Sequence, residues 1–242
     1  MHGFAGGAGG SPETVDWQGN QNLIRAAQVA GVRRFILLSI HGAGPDHPMD
    51  LFRMKYRAEQ ALRASALAWT IIRPSAYMET WGALLGAPLV QTGVARVFGR
   101  GDNPINFVSV SDVARFVELA VADPALEGAT LEVGGPENLS MRQVVEVIAA
   151  ALGRPTTIRA VPLPMMRLMA VLLRPVKPAI ARQIAAGVAM DTRDMTFDAT
   201  ELRRRYPAIP LTPWAEVARR EFRPAATDDR APAGAGAPRS PK

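Results

Sequence analysis

The chain has no cysteine in its 242 residues, which excludes disulfides and thiolate-held metals. It has only three histidines, His2, His41 and His47, and none of them form the helical i, i+4 pair of a zinc-binding helix. No apolar run reaches the ~18–20 residues that span a bilayer. The most apolar run, Leu168 to Leu173, is closed on both sides by Arg167 and Arg174. No basic segment followed by an apolar core stands at the N-terminus, so no signal peptide is read there. No stripe of one charge is visible either. The net charge is +6, and Arg223 to Lys242 contributes four basic and two acidic residues to it. The arginines are scattered, and a nucleic-acid surface would need them on one face. We expect no nucleic-acid partner, no membrane span and a cytoplasmic location.

What is present is ordinary for a soluble globular protein: 48% apolar and 21% charged residues. The length suits one large domain, or one domain with a small cap. After a glycine-rich Met1 to Gly10, Ser11 and Pro12 fit the cap and first turn of a helix running to Ala30. Its expected face is Val15, Asn22, Ala26 and Ala30, with Leu23 and Ala27 beside them. Gly31 suits the left-handed stop. Phe35 to Ser39 and Trp69 to Arg73 are short continuous apolar runs, expected as strands covered on both faces. Between them a helix from Asp50 to Ser65 buries Leu51 or Phe52, Met54, Ala58, Ala61, Leu62 and Ser65.

Ala76 to Pro104 has many glycines and no clear period, and reads as irregular. Strands are expected at Ile105 to Val108, Thr130 to Val133 and Ile158 to Val161. Ser109 or Ser111 caps a helix ending before Pro124. Ser140 with Gln143, and Asp198 with Glu201, read as capping boxes. Pro164 to Met190 is Met-rich and helical, broken near Pro175 and Pro178. Thr212-Pro213 opens a last helix, and Arg223 to Lys242 reads as disordered.

Strands alternating with helices up to Gly153 predict an α/β fold, with a doubly wound, Rossmann-type parallel sheet and right-handed crossovers. Residues 1–153 form the sheet domain, 154–222 a smaller, mainly helical substrate-side cap, and 223–242 the tail. Such a sheet ordinarily opens with a strand, a glycine turn and a helix that together cradle a pyrophosphate, and no such unit is read here.

Several segments together resemble the atypical short-chain dehydrogenase/reductase superfamily, in its NmrA-like NAD(P)-binding branch. They are Gly19 to Ile24 with Gly31 to Phe35, Leu38-Ser39, Met54-Lys55-Tyr56 with Glu59 and Leu62, and Trp69 to Ser75. Phe107-Val108 with Ser111 to Ala114, and Gly134 to Glu137 with Leu139-Ser140, complete the set. The later part is similar to the substrate side of proteins grouped with an accessory subunit of respiratory complex I.

The resemblance implies an NAD or NADP cofactor and reduction of a small carbonyl or quinone-like substrate. It implies that Lys55 binds the ribose hydroxyls and that Ser39 binds the substrate oxygen, which makes these two the catalytic candidates. Backbone groups at Pro74, Ser75 and Ala76 would touch the nicotinamide carboxamide, and Gly3 would lie near the ribose. The family's tyrosine, one helical turn before the lysine, is Leu51 here, so the phenolic proton donor is absent. Tyr56 cannot replace it, because one residue along a helix is a rotation of about 100°. His41 or His47 could supply the proton, or could be simple loop residues.

Against the family pattern the opening strands and glycine turn are wanting, roughly 70 residues at about 30 per strand–helix unit. An N-terminally truncated chain, or a start assigned too late, is therefore expected. A non-catalytic NAD(P)-binding redox sensor or assembly factor, or an inactive fragment, stands as the alternative function. A protein partner or a second copy is open as a partner. The plainer readings are a surface Lys55 paired with Glu59, a Ser39 that caps its strand, and an Arg73 facing solvent. Met165, Met166 and Met169 form either an adaptable lid or a helix packed into the core.

Overall fold

The computed structural model describes residues 10–222. Its frame is a parallel sheet of β1 (Arg34–Leu38), β2 (Ala68–Pro74) and β6 (Ala129–Val133), with β2 in the centre. Successive side chains of a strand point to opposite faces, and Ile71 and Ile72 show the consequence. Ile71 packs with Ile24, Ala27, Ala58 and Leu62, while Ile72 packs with Val113, Phe116 and Leu131. The first set comes from α1 (Asn20–Val29) and α2 (Asp50–Arg63), the second largely from α4 (Val110–Ala122). Helices therefore cover both faces, as a Rossmann-like fold requires.

Ser75 separates β2 from the short β3 (Ala76–Tyr77), which pairs in parallel with β5 (Ile105–Val108). β5 pairs antiparallel with β7 (Asn138–Leu139). A separate parallel pair joins β4 (Val94–Phe98) to β8 (Thr157–Val161). The third core lies between these strands and α3 (Met78–Thr92), α5 (Met141–Leu152) and α9 (Trp214–Glu221), around the fully buried Trp214 and Phe107. The remaining helices are α6 (Leu163–Leu173), α7 (Pro178–Thr192) and α8 (Thr200–Arg205).

Several expectations need correction. The region from Ala76 to Pro104 is not irregular, since it holds β3, the fifteen-residue α3 and β4. The first helix begins as a π-helical segment, Pro12–Gly19, before α1. Its wider turn rotates the buried face onto Pro12, Asp16, Ile24 and Ala27, and leaves Asn22, Leu23, Ala26 and Ala30 exposed. α2 stops at Arg63, short of Ser65. Asp198 does not cap α8 in a box with Glu201: its carboxylate accepts from the Thr200 N–H, and Glu201 holds Arg204. β1 packs on both faces, Ile36 against one core and Phe35 and Leu37 against the other, but it is an edge strand among the described residues and Leu38 at its end is 41% exposed. The proposed tail, residues 223–242, lies outside the described residues.

Candidate functional site

The face that α2 turns to the sheet reads Phe52, Lys55, Ala58, Glu59, Leu62. Two of these five buried side chains are charged. A buried charge is tolerated only when paired and hydrogen-bonded, and both are. Lys55 Nζ donates to the carbonyl of Leu38 at 3.0 Å and lies 3.2 Å from Oδ1 of the fully buried Asp16. Asp16 comes from the π-helical segment. Glu59, also fully buried, accepts a hydrogen bond from Ser39 Oγ. It receives Arg73 as a fork, Nε at 2.8 Å and Nη2 at 2.6 Å. Arg63 adds a second cation at 3.4 Å.

The chain of contacts continues across the strand ends. Arg73 Nη1 reaches Glu132 Oε1 at 2.8 Å, and Glu132 Oε2 meets His41 Nδ1 at 2.8 Å. The parallel register puts Arg73 beside Glu132, and the His41 N–H closes onto the Pro74 carbonyl at 2.8 Å. Ser39, Glu59, Arg73, Glu132 and His41 thus form one seam at the carboxyl end of β1 and β2, where ligands of open α/β sheets bind.

The electrostatics follow from the pairing. The bonds from Glu59 hold the Arg73 guanidinium far above its ordinary value, with burial opposing and Glu132 adding to the effect. Burial pushes the Glu132 carboxyl up, but the bonds and charges of His41 and Arg73 outweigh it and leave the group below the usual range. His47 is held below 6.5 by burial and by the positive charges of Arg193 and Arg53, against an opposing backbone contribution at Met49. Its ring stacks on Phe52 with centroids 3.9 Å apart.

Of the residues singled out in the sequence, Ser39, Lys55 and Pro74 come together at this seam. Ser75 turns its hydroxyl to the buried Asn106, 2.8 Å away, and its N–H to the Val133 carbonyl. Ala76 enters β3 beside Phe107. Gly3 and His2 lie outside the described residues. The surface pairing of Lys55 with Glu59 is not found: one holds Asp16, the other Arg73. Nor does Arg73 face solvent, since both its partners are carboxylates. Met166 alone of the three methionines is packed inward, while Met165 and Met169 are exposed. Asp16, Glu59 and Glu132 escaped the sequence reading as site residues. The signal for Glu59 was a carboxylate set inside the apolar stripe of its helix. Asp16 carries a comparable one only if the π-helical spacing is known.

A cavity of about 570 Å³ opens at the start of α2, and none of the seam's side chains lines it. Pro12, Leu51 and Arg53 line it from the starts of the π-helical segment and α2, and Val171, Arg174 and Arg182 line it from α6, α7 and the turn between them. Arg182 Nε is buried there with no hydrogen-bond partner among the described residues. The volume is that of a small-molecule site, mostly apolar with a few polar groups. Leu51 is the wall residue one helical turn before Lys55, so the wall at that point carries no proton donor.

Comparison with known proteins adds a family. The profile of an NAD(P)H-binding family matches residues 4–124. The chain is 30% identical over 141 residues to an NAD(P)H azoreductase of Xenophilus azovorans, covering 58% of this chain and 49% of that protein. It is 29% identical over 156 residues to a photosystem II assembly factor of Synechocystis sp., covering 64% and 47%. The chain spans about half the length of these curated relatives. Among solved structures, the NADPH-dependent quinone oxidoreductase of Escherichia coli complexed with NADPH superposes with a TM-score of 0.68. The identity is 24%, covering 84% of this chain and 70% of that one, which speaks for the fold.

Proposed function

The chain belongs to the NAD(P)H-binding family of atypical short-chain dehydrogenase/reductases, and from that membership we propose that it is an NAD(P)H-dependent reductase of a small quinone-like or carbonyl substrate. The observation that carries this reading is the buried lysine, Lys55, held at the carboxyl end of β1 by Asp16 and the Leu38 carbonyl, on a helix whose first turn, at Asp50, Leu51 and Arg53, lines a cavity of ligand size.

The residues fit the nicotinamide–ribose half of the cofactor. An ammonium carries three N–H donors, and among the described residues Lys55 Nζ has two partners, Asp16 and the Leu38 carbonyl. A further donor can meet a ribose hydroxyl. No strand–glycine turn–helix unit precedes β1 among the described residues. When bound, NAD(P)H supplies the hydride. Lys55 orients the ribose, Ser39 offers its hydroxyl to the substrate oxygen by turning from Glu59, and the backbone of Pro74 to Ala76 borders the carboxamide. We read 10–153 as the cofactor side and 154–222 as the substrate side, with the cavity between them.

Leu51 narrows the substrate. Reducing a ketone leaves an alkoxide that needs a positioned acid. Reducing a quinone leaves a phenolate-type anion, comparable in basicity to ionised tyrosine, which takes its proton from water without help. A quinone-like acceptor therefore suits a wall with no phenol, and the azoreductase and quinone oxidoreductase relatives support the same direction.

The second reading is a non-catalytic NAD(P)H sensor or assembly factor. It is favoured by the closed state of the seam, with the Ser39 hydroxyl committed to Glu59 and Lys55 to Asp16, and by the assembly-factor relative. NADPH oxidation followed with menadione and with simple ketones separates the two. The reductase reading expects turnover with menadione, and binding of NADPH without turnover of any acceptor would leave the sensor.

A further inference from the structure

The α6–α7 hairpin combines two features that the proposed reaction does not use. The first is apolar exposure. Met166 is buried, and the space against it at Gly187 is so tight that an added Cβ would lie 3.0 Å from the Met166 methyl. That contact fixes which side of α6 faces inward. Met165, Leu168, Met169 and Leu172 follow at the spacing of one helical stripe on another side. They are 46%, 59%, 40% and 63% exposed, and Val171, Val176 and Ile180 extend the patch at 69%, 74% and 42%. Large apolar side chains left in one exposed group mark an interaction surface.

The second feature is charge of one sign. Between Glu146 and Asp191 the chain has no carboxylate, yet it carries Arg154, Arg159, Arg167, Arg174, Lys177 and Arg182. Arg167, Arg174 and Lys177 are exposed on the hairpin itself, and none of the three forms an ion pair among the described residues. An amphipathic helix with apolar side chains on one face and arginine or lysine around it is the composition of an element lying in a bilayer interface. Unpaired cations beside the stripe add attraction to anionic headgroups. A water-soluble protein partner would have to bring both a matching apolar groove and its own carboxylates, whereas an anionic leaflet offers both together.

We propose that the α6–α7 hairpin seats this protein on an anionic membrane surface, with the Met165–Leu168–Met169–Leu172 stripe in the acyl boundary and Arg167, Arg174 and Lys177 at the headgroups. The chain does not span the bilayer: no helix among the described residues is long and apolar enough to cross one. Val171 and Arg174 belong both to this surface and to the wall of the cavity, so docking would bring the cavity mouth to the interface. The proposal holds whether or not the site turns over a substrate.

The test is flotation of the full chain with phosphatidylcholine–phosphatidylglycerol vesicles and with phosphatidylcholine vesicles. Binding to the anionic vesicles is expected to be stronger by about tenfold or more, and to weaken as salt is raised. Leu168→Glu/Leu172→Glu should lower it by about tenfold or more, with an unchanged melting temperature because both side chains are exposed. Arg167→Gln/Lys177→Gln should reduce the difference between the two vesicle types. Absence of binding, equal binding to both vesicles, or full binding by Leu168→Glu/Leu172→Glu would overturn the proposal. So would a wild-type dimer that the same double variant converts to monomer without vesicles, because the stripe would then be an interface between copies.

Discussion

The seam at the end of β1 and the α6–α7 hairpin are both rich in charge, and they handle it in opposite ways. In the seam every charge is answered: Lys55 by Asp16, Glu59 by Arg73, Glu132 by Arg73 and His41. Lys55, Asp16 and Glu59 are buried, and Arg73, Glu132 and His41 are partly so. On the hairpin, Arg167, Arg174 and Lys177 stand in solvent beside uncovered apolar side chains. The seam spends stability on fixed positions, which suits its proposed role of orienting a cofactor. The hairpin contributes little to folding through its outer face, and that face is free to meet something else.

The sharpest break of this contrast is Glu59→Ala. It leaves the Arg73 guanidinium half-buried with one carboxylate, and removes the acceptor of Ser39. Removing one partner of a buried pair costs about 3–5 kcal/mol, so urea unfolding should give a much lower midpoint. A shift no larger than that of a surface variant would mean the seam is not a structural unit.

Next in size is a gain of function. Leu51→Tyr restores a phenol one helical turn from Lys55 and at the cavity wall. A positioned acid is worth about 10²-fold or more, so NADPH-dependent turnover of a small ketone should rise by about that factor while menadione reduction changes little. Equal ketone rates in the two proteins would contradict the account of the missing donor.

Acidity sharpens the comparison further. The folded pKa of His47 is depressed below 6.5. A depressed group contributes stability above its unfolded pKa and loses it as the pH falls through the folded value. Melting temperature should therefore begin to fall below pH 6.5, and His47→Gln should flatten that part of the curve. Glu132 is depressed below 4.5, so its contribution is lost at lower pH, and Glu132→Gln should leave the step near His47 in place. Because both side chains are partly exposed, solvent screening keeps these steps small. The smallest effect belongs to the hairpin: Leu168→Glu should change unfolding free energy by no more than about 0.5 kcal/mol.

How far the sequence disclosed this molecule depends on the range of the interaction. The Ser140–Gln143 box is legible because its partners lie three residues apart, and the structure has both bonds. β1 and β2 are legible as apolar runs. α3 was hidden by Gly82, Gly86 and Pro88. The two glycines are there for a distant reason: a Cβ at Gly86 would lie 2.4 Å from the Phe222 ring, and one at Gly82 would meet Phe222 and Trp214 at 3.5 Å. Tertiary packing from α9 and its end overrode helix propensity. The site divides in the same way. Lys55 and Ser39 come from the family resemblance, and the structure brings them to one strand end. Asp16 and Glu132 pair with residues 39 and 59 to 91 positions away, which no local pattern reports.

The central claim, that Lys55 is the cofactor-orienting group of a reductase, is tested most directly by kcat/KM for NADPH-dependent menadione reduction in Asp16→Asn/Lys55→Met. Removing both charges together leaves no uncompensated buried ion, so the fold should survive in a way that Lys55→Met alone would not guarantee. The account predicts a melting temperature near that of the wild type with kcat/KM lower by about 10²-fold or more. A folded double variant that reduces menadione as fast as the wild type would contradict it.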